Sequence, residues 1–271
     1  MVFRKNYIYF LVLITIAIWL SVFSIDNRLH IIVCDVGQGD AILIQKASTQ
    51  VLIDGGPTNK VIDCLGRHMP FWDREIELVV LTHPQEDHYG GLINVFRSYK
   101  VQLFGEFNRE SSSKGYEALK NEVGSRGIST IDLLSGTSMR LGKIYLDMVW
   151  PEGNVDSTNV NDDGVVTLLK YGQFKALFTA DVENEVSDQL SENTKLENIN
   201  YLKVNHHGSK NGLSQKLLDK TSPETAVISV AKNNSYGHPH AEILQMLKKS
   251  NVKLFSTAEQ GDVCYSVYYL E

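Results

Sequence analysis

Short apolar runs, separated by glycine or polar turns, alternate with amphipathic stretches along most of this chain. LHIIVCDVG and AILIQ read as strands around a glycine turn, and TQVLIDGG as a third strand that ends in glycines. Residues 58–68 place Val61, Ile62 and Leu65 on one face, the spacing of a helix. IELVVLT reads as a buried strand, and a helix is predicted over Lys114 to Glu122. A strand-rich stretch follows from IYLDMVW, and VVTLLKYGQFKALFTAD reads as a hairpin turning at Gly172 and Gln173. Val182, Val186 and Leu190, four apart, predict the next helix. The strands YLKV and TAVISV, a helix from Ala241 to Lys249, and a closing hairpin through Gly261 complete the pattern. Without repeats or a linker to a second domain, the interleaving predicts one layered α/β domain over residues 29–271, with helices covering the sheet faces.

The N-terminus breaks this pattern. From Asn6 to Ile25 no residue is charged, and a helix of that length rises about 30 Å, enough for bilayer hydrocarbon. Residues 1–28 are therefore expected to be a membrane anchor with a short linker. Arg4 and Lys5 before the run, with Arg28 alone close behind it, favour a cytoplasmic N-terminus and an exported domain. A cleaved signal peptide is the competing reading, with Val22 and Ser24 near the cut. Against it, the apolar core is long and lacks the A-x-A pattern.

Composition narrows the partners. The 271 residues are 43% hydrophobic and 21% charged, an ordinary globular balance. A net charge of −6 argues against a basic face, so a polyanion would need local lysines or bound cations. Cys34, Cys64 and Cys264 are odd in number and far apart, which predicts small apolar residues rather than a disulfide framework or a zinc knuckle.

Candidate chemistry follows the strands. Six of the eight histidines fall in three clusters after apolar runs: His83 with His88, His206 with His207, and His238 with His240. Asp54 and Asp181 also end strands. A lone histidine after a strand is most often a hydrogen-bonded surface residue, but acids and imidazoles at several strand ends can converge on one sheet edge. Such a set suits zinc, manganese or iron without thiolate ligands, with a divalent ion, Zn2+ or Mn2+, the expected cofactor.

In unbroken order from Ile31 onward, DVGQGDAILIQ, LIDGG, LTHPQEDHYGG, LFTADVE, LKVNHHGSKNG and NNSYGHPH resemble the motifs of the metallo-β-lactamase superfamily. More narrowly, they resemble the hydrolase domain of ComEC-type DNA-uptake (competence) proteins. The resemblance implies a four-layer αββα sandwich, here behind an N-terminal transmembrane helix, with one or two divalent ions at one edge of the sheets. Carried over by position, Asp87, His88 and His206 would form the second metal position, Asp181 would bridge, and His83 would serve the first. Asp54 is expected to orient the His83 to His88 loop, and Asp40 to stand behind the site.

Four features depart from the family. Gln85 stands where a first-metal histidine is usual, and no histidine lies between His88 and His206. Asp162 or Asp163 could supply an oxygen ligand there, or Asn161 to Gly164 could be a plain polar turn. Ala180 replaces a usual glycine before Asp181, and Gly164 a common serine.

The resemblance implies metal-dependent hydrolysis of DNA phosphodiesters. Asp87 would be both ligand and proton acceptor, and His240 the leaving-group acid, with His207 and His238 behind it, or else, at a helix N-terminus that disfavours its charged form, a neutral donor to substrate. Lys203, Lys210, Lys216 and Lys232 flank the histidine motifs, as a phosphate track or as ordinary solvated surface. The multi-helix channel of that family has no counterpart here, so a separate DNA channel protein is an expected partner. The alternatives are hydrolysis of a small phosphoester, thioester or lactam, and a non-catalytic metal-binding module.

Overall fold

Along β1 (Leu29–Val33), alternate side chains part: Leu29, Ile31 and Val33 enter the core between two sheets, while Ile32 turns to a helical layer. That division runs through a computed structural model that describes residues 2–22, 26–109, 111–153 and 159–269. β1 belongs to a seven-stranded sheet with β2 (Ile42–Lys46), β3 (Thr49–Ile53), β4 (Glu75–Leu81), β5 (Lys100–Glu106), β6 (Ser129–Asp132) and β14 (Val263–Val267). Their order is β14-β1-β2-β3-β4-β5-β6. The second sheet is built from β7 (Ser138–Leu141), β8 (Ile144–Trp150), β9 (Val166–Tyr171), β10 (Phe174–Phe178), β11 (Tyr201–Lys203), β12 (Thr225–Ile228) and β13 (Lys253–Ser256). It reads β13-β12-β11-β10-β9-β8-β7.

The helix α1 (Val2–Val22) precedes the sheets. The first sheet's outer face carries α2 (Lys60–His68), the one-turn α3 (Glu86–Tyr89), α4 (Leu92–Ser98) and α5 (Lys114–Ser125). The second sheet's outer face carries α6 (Asn184–Leu190), α7 (Gln215–Thr221) and α8 (Ala241–Lys249). A short turn, α9 (Thr257–Gln260), follows β13. Two helix-on-sheet cores and one sheet-on-sheet core give the expected αββα order.

Strand direction positions the site. β3 and β4 run parallel, as do β10, β11 and β12, so their C-terminal ends open on one edge. The loops there lock the sheets together: Ser229 Oγ donates to the Gly39 carbonyl at 2.6 Å and Val165 N to the Thr82 carbonyl at 2.9 Å. Gly39, at φ 124°, lies so close to the Asp87 backbone that a Cβ would collide with its carbonyl.

Three expectations are corrected. The closing hairpin does not form: β13 pairs parallel with β12, and the chain crosses through α9 and Gly261 (φ 71°) to place β14 against β1 in the other sheet. The cysteines are not all small core residues, because Cys34 and Cys64 form a disulfide. The end of β1 lies beneath α2, bringing their Cα atoms to 5.9 Å across a sequence separation of 30.

The expected transmembrane helix is the third. Among the described residues, no helix is long and apolar enough to cross a membrane. α1 ends at Val22 and takes in Arg4 and Lys5, so its uncharged part, 6–22, rises only about 26 Å against roughly 30 Å of hydrocarbon. Ser24, of the cleavage reading, lies outside the described residues.

Candidate metal centre

Each donor reaches the sheet edge from a different strand end. After β4, Thr82 and His83 lead into the single turn of α3, which carries Asp87 and His88. After β10, the chain turns at Ala180 (φ 50°) to present Asp181. After β11, His206 (φ 44°) and His207 (φ 52°) both take left-handed conformations, so the strand's alternation stops and His207 swings into the interior. Backbone strain of this kind costs on the order of 1 kcal/mol per residue and gathers at functional sites.

Asp87, His88, Asp181 and His207 converge, with one donor atom from each within 4.8 Å of the others. His207 Nε2 is 3.2 Å and His88 Nε2 3.4 Å from Asp181 Oδ2. The same nitrogens stand 3.7 and 3.9 Å from Asp87 Oδ2. Ligands about 2.0–2.1 Å from a tetrahedral ion are about 3.3 Å apart, so these separations need only small adjustment.

Surrounding hydrogen bonds fix the imidazoles with lone pairs inward. His88 Nδ1–H donates to Asp54 Oδ2 at 2.8 Å, and Asp54 also accepts from Thr82 N and Oγ1. Asp54 is thus placed behind the site, as expected. His207 Nδ1–H donates to the Ser229 carbonyl at 2.8 Å. Thr82 Oγ1 gives its proton to Asp54 and can accept from His83 Nδ1 at 3.0 Å. The Nε2 atoms of His83, His88 and His207 and the Oδ1 of Asp181 are buried without a hydrogen bond. Buried polar atoms are rarely left so, and a divalent cation fits this donor set, because each free atom carries a lone pair.

Against burial, the clustered carboxylates hold protons on His88 and His207, both raised above the ordinary imidazole value, and a bound cation would displace those protons to reach the lone pairs. Burial alone would push Asp181 upward, but His207 and His88 hold its carboxyl well below the usual range. Asp87 behaves likewise: burial opposes ionisation, yet the His207 contact and His88 keep it at about 2. Burial would lower His207, but Asp181 and Asp40 raise it to about 9. Burial and the neighbouring His88 lower His83 to about 3, which keeps it neutral.

Other expected residues lie elsewhere. His206 is partly exposed, its Nε2 3.9 Å from Asp181 and its Nδ1 3.8 Å from Glu183, so the clustered imidazole is its neighbour His207. Asp162 does not turn to the site: its Oδ1 accepts from Glu183 N at 2.9 Å, and Asn159 donates to its Oδ2. Asp163 is buried in an ion pair with Arg109. Gln85 Nε2 donates to Asn161 Oδ1 at 2.5 Å, a side-chain bridge where the family has a histidine. His240 sits at the start of α8, its Nδ1 accepting from Lys210 N, while His238 lines the cavity over the cluster.

Two lysines also leave the supposed phosphate track. Lys203 is fully buried and donates to Asp40 Oδ2 at 2.7 Å, and Lys216 pairs with Asp188. Asp40 stands 3.5 Å from His207 Nδ1, behind the site as expected. The cavity, about 420 Å³, is walled by Gln38, Glu86, Asp87, His206, His238 and Tyr236. Tyr236 is 65% exposed and stacks on His238 at 5.7 Å; no periodicity in the sequence marked it.

Residues 34–232 match the family model described as metallo-beta-lactamase superfamily. The chain is 26% identical over 253 residues to ComE operon protein 3 of Bacillus subtilis, covering 85% of this chain and 32% of that protein. It is 28% identical over 234 residues to Recombination protein 2 of Haemophilus influenzae, covering 84% and 28%. Both are ComEC-type competence proteins. The chain spans about a third of the length of these relatives. Among solved structures, the metallo-beta-lactamase fold protein YhfI of Bacillus subtilis superposes with a TM-score of 0.60 at 11% identity, over 88% of this chain and 99% of that one.

Proposed function

The chain belongs to the metallo-β-lactamase superfamily, whose members are metal-dependent hydrolases, and on that premise we propose that it hydrolyses phosphodiester bonds of DNA at one divalent ion. The observation that carries this reading is the convergence of Asp87, His88, Asp181 and His207, with Nε2 of both imidazoles and Oδ1 of Asp181 buried without a hydrogen bond. When bound, Zn2+ or Mn2+ there supplies a water-derived nucleophile near neutral pH and a positive charge opposite the developing negative charge.

The chain's own residues do the rest. His88 and His207 are held rigid by Asp54 and the Ser229 carbonyl, so the donors are organised in advance. Asp87, at the cavity wall and ionised, is placed to bind the ion. At the opposite rim His238, lowered to about 4 by burial and by the His206 and His207 rings, is neutral and offers substrate a hydrogen bond. As a neutral donor to substrate it stands where His240 was the candidate, the His240 Nδ1 being occupied by Lys210 N. Tyr236 presents an exposed ring beside it, a surface on which an unpaired base can stack.

DNA as substrate rests on the relationship to competence proteins. The domain's position is proposed from two further observations. The Cys34–Cys64 disulfide suits an exported, oxidising compartment. The exposed side chains of Tyr7, Ile8, Phe10, Leu13 and Trp19 on α1 suit attachment to a membrane. Co-sedimentation of the full chain with lipid vesicles tests this: the chain pellets with the vesicles, and a chain that stays in the supernatant at all lipid concentrations would refute attachment.

For the reaction, the chelated full chain is given Mn2+ or Zn2+ with single- or double-stranded DNA. Cleavage should return with the ion, and His207→Gln should lower it at least about a hundredfold. Turnover of a small phosphodiester with none of DNA would move the substrate assignment, and no turnover of either would end the hydrolytic reading.

A further inference from the structure

A second group of reactive side chains lies on the first sheet, at β14. β14 pairs antiparallel with β1 so that Cys264 stands opposite Ile32, on the face that α2 covers. With Cys34 and Cys64 joined, Cys264 is the free thiol, and it is exposed. α2 ends above it, and His68 Nδ1 lies 3.9 Å from its sulfur. The other ring nitrogen, Nε2, is 2.8 Å from Asp262 Oδ2. Asp262 is anchored in turn by Arg67, at 2.6 and 3.0 Å, and by Asp35 N at 2.9 Å.

This network sets the tautomer. Ionised Asp262 only accepts, so His68 carries its proton on Nε2 and turns the Nδ1 lone pair to the thiol. Nucleophile, base and orienting acid thus stand in the order such chemistry requires. They open on a cavity of about 470 Å³ lined by Arg67, His68, Met69, Phe71, Trp72 and Cys264, large enough for a small molecule with an apolar or aromatic body.

We propose that Cys264, His68 and Asp262 form a thiol-disulfide exchange site for low-molecular-weight disulfides. The thiol passes its proton to His68 Nδ1 as its sulfur attacks one sulfur of the incoming disulfide. A Cys264–S–S–R bond forms, the reagent's S–S bond breaks, and the departing thiolate takes the proton from His68. One thiol is consumed and one released; Cys264 is oxidised by the disulfide, half of which leaves reduced. Burial and Asp262 hold the resting thiol protonated, so His68 acts as the bond forms and not beforehand. Nothing in this site overlaps the metal cluster, so the inference stands apart from the proposed hydrolysis.

The test uses the full chain, its Cys34–Cys64 disulfide intact, with neutral aromatic dithiodipyridine at neutral pH, following release of the coloured thione. One equivalent should be released, with the adduct on the Cys264 peptide and no release from Cys264→Ser. The folded chain should react at least about tenfold faster than the urea-unfolded chain, and His68→Gln should remove that advantage. The folded-to-unfolded comparison needs no variant, so a misfolded His68→Gln would not obscure the answer. A folded rate equal to or below the unfolded one, or an adduct on Cys34 or Cys64, would overturn the assignment.

Discussion

Ala180 carries a left-handed backbone, φ 50°, directly before Asp181, where a methyl group is a strain that glycine would avoid. Its Cβ lies in space taken from Gly164: a Cβ added there would meet it at 3.0 Å and the Asn161 carbonyl at 2.9 Å. The two departures from the family are therefore one exchange of volume between neighbouring loops. Gly164→Ser alone should destabilise by about 1–3 kcal/mol through overpacking. Ala180→Gly alone should be near neutral, since relieved strain offsets the greater freedom of the unfolded chain. Combined, they should recover about 1 kcal/mol relative to their sum in urea unfolding. Additivity within about 0.3 kcal/mol would refute the coupling. Single residues also mark where the sequence stops being legible. The HH dipeptide announces an imidazole ligand, but the two left-handed residues that choose His207 over His206 leave no pattern in the letters. Lys203 reads as a surface cation because its buried partner, Asp40, lies 163 positions away in the chain.

At the level of elements, strand ends were readable because buried strands are written as apolar runs, and the candidate site lies where those runs stop. Pairings were less so. β13 and β14 look like a hairpin across Gly261, but their apolar faces belong to different sheets, and sheet membership is decided by distant partners. The same distance hid the disulfide. At the outer side of the second sheet, Asp147 on β8 accepts from Ser138 of β7 at 2.7 Å and pairs with Lys170 of β9 at 2.6 Å. Burial opposes its ionisation, but Lys170 and Ser138 outweigh this and hold the carboxyl below its ordinary value of 3.8. A lowered folded value means that the stabilisation is present above 3.8 and fades as pH falls through the folded value. Asp147→Asn should therefore cost about 1 kcal/mol at neutral pH, measured by chemical unfolding. The two proteins should converge below that window, and a gap unchanged at low pH would contradict the ion-pair reading.

Across the whole molecule, the αββα order was legible because it needs only the alternation of elements and the motif order from Ile31 onward. The composition of the candidate centre was less so. Three of its four residues, Asp87, His88 and Asp181, stood among the expected ligands, while Asp162 was drawn off by Glu183 and Asn159, and Gln85 by Asn161. With the Asp162 oxygens occupied and the Gln85 amide tied to Asn161 through its nitrogen, one well-built position remains, and the central claim is that His207, not His206, completes it. Metal content of the purified full chain, compared with His207→Gln and His206→Gln after equal exposure to Mn2+ or Zn2+, tests this most directly. The account predicts about one tightly held ion per chain in the unaltered protein and in His206→Gln, and its loss in His207→Gln. An unaltered chain that holds no ion, or a loss that follows His206 while His207→Gln stays loaded, would contradict it.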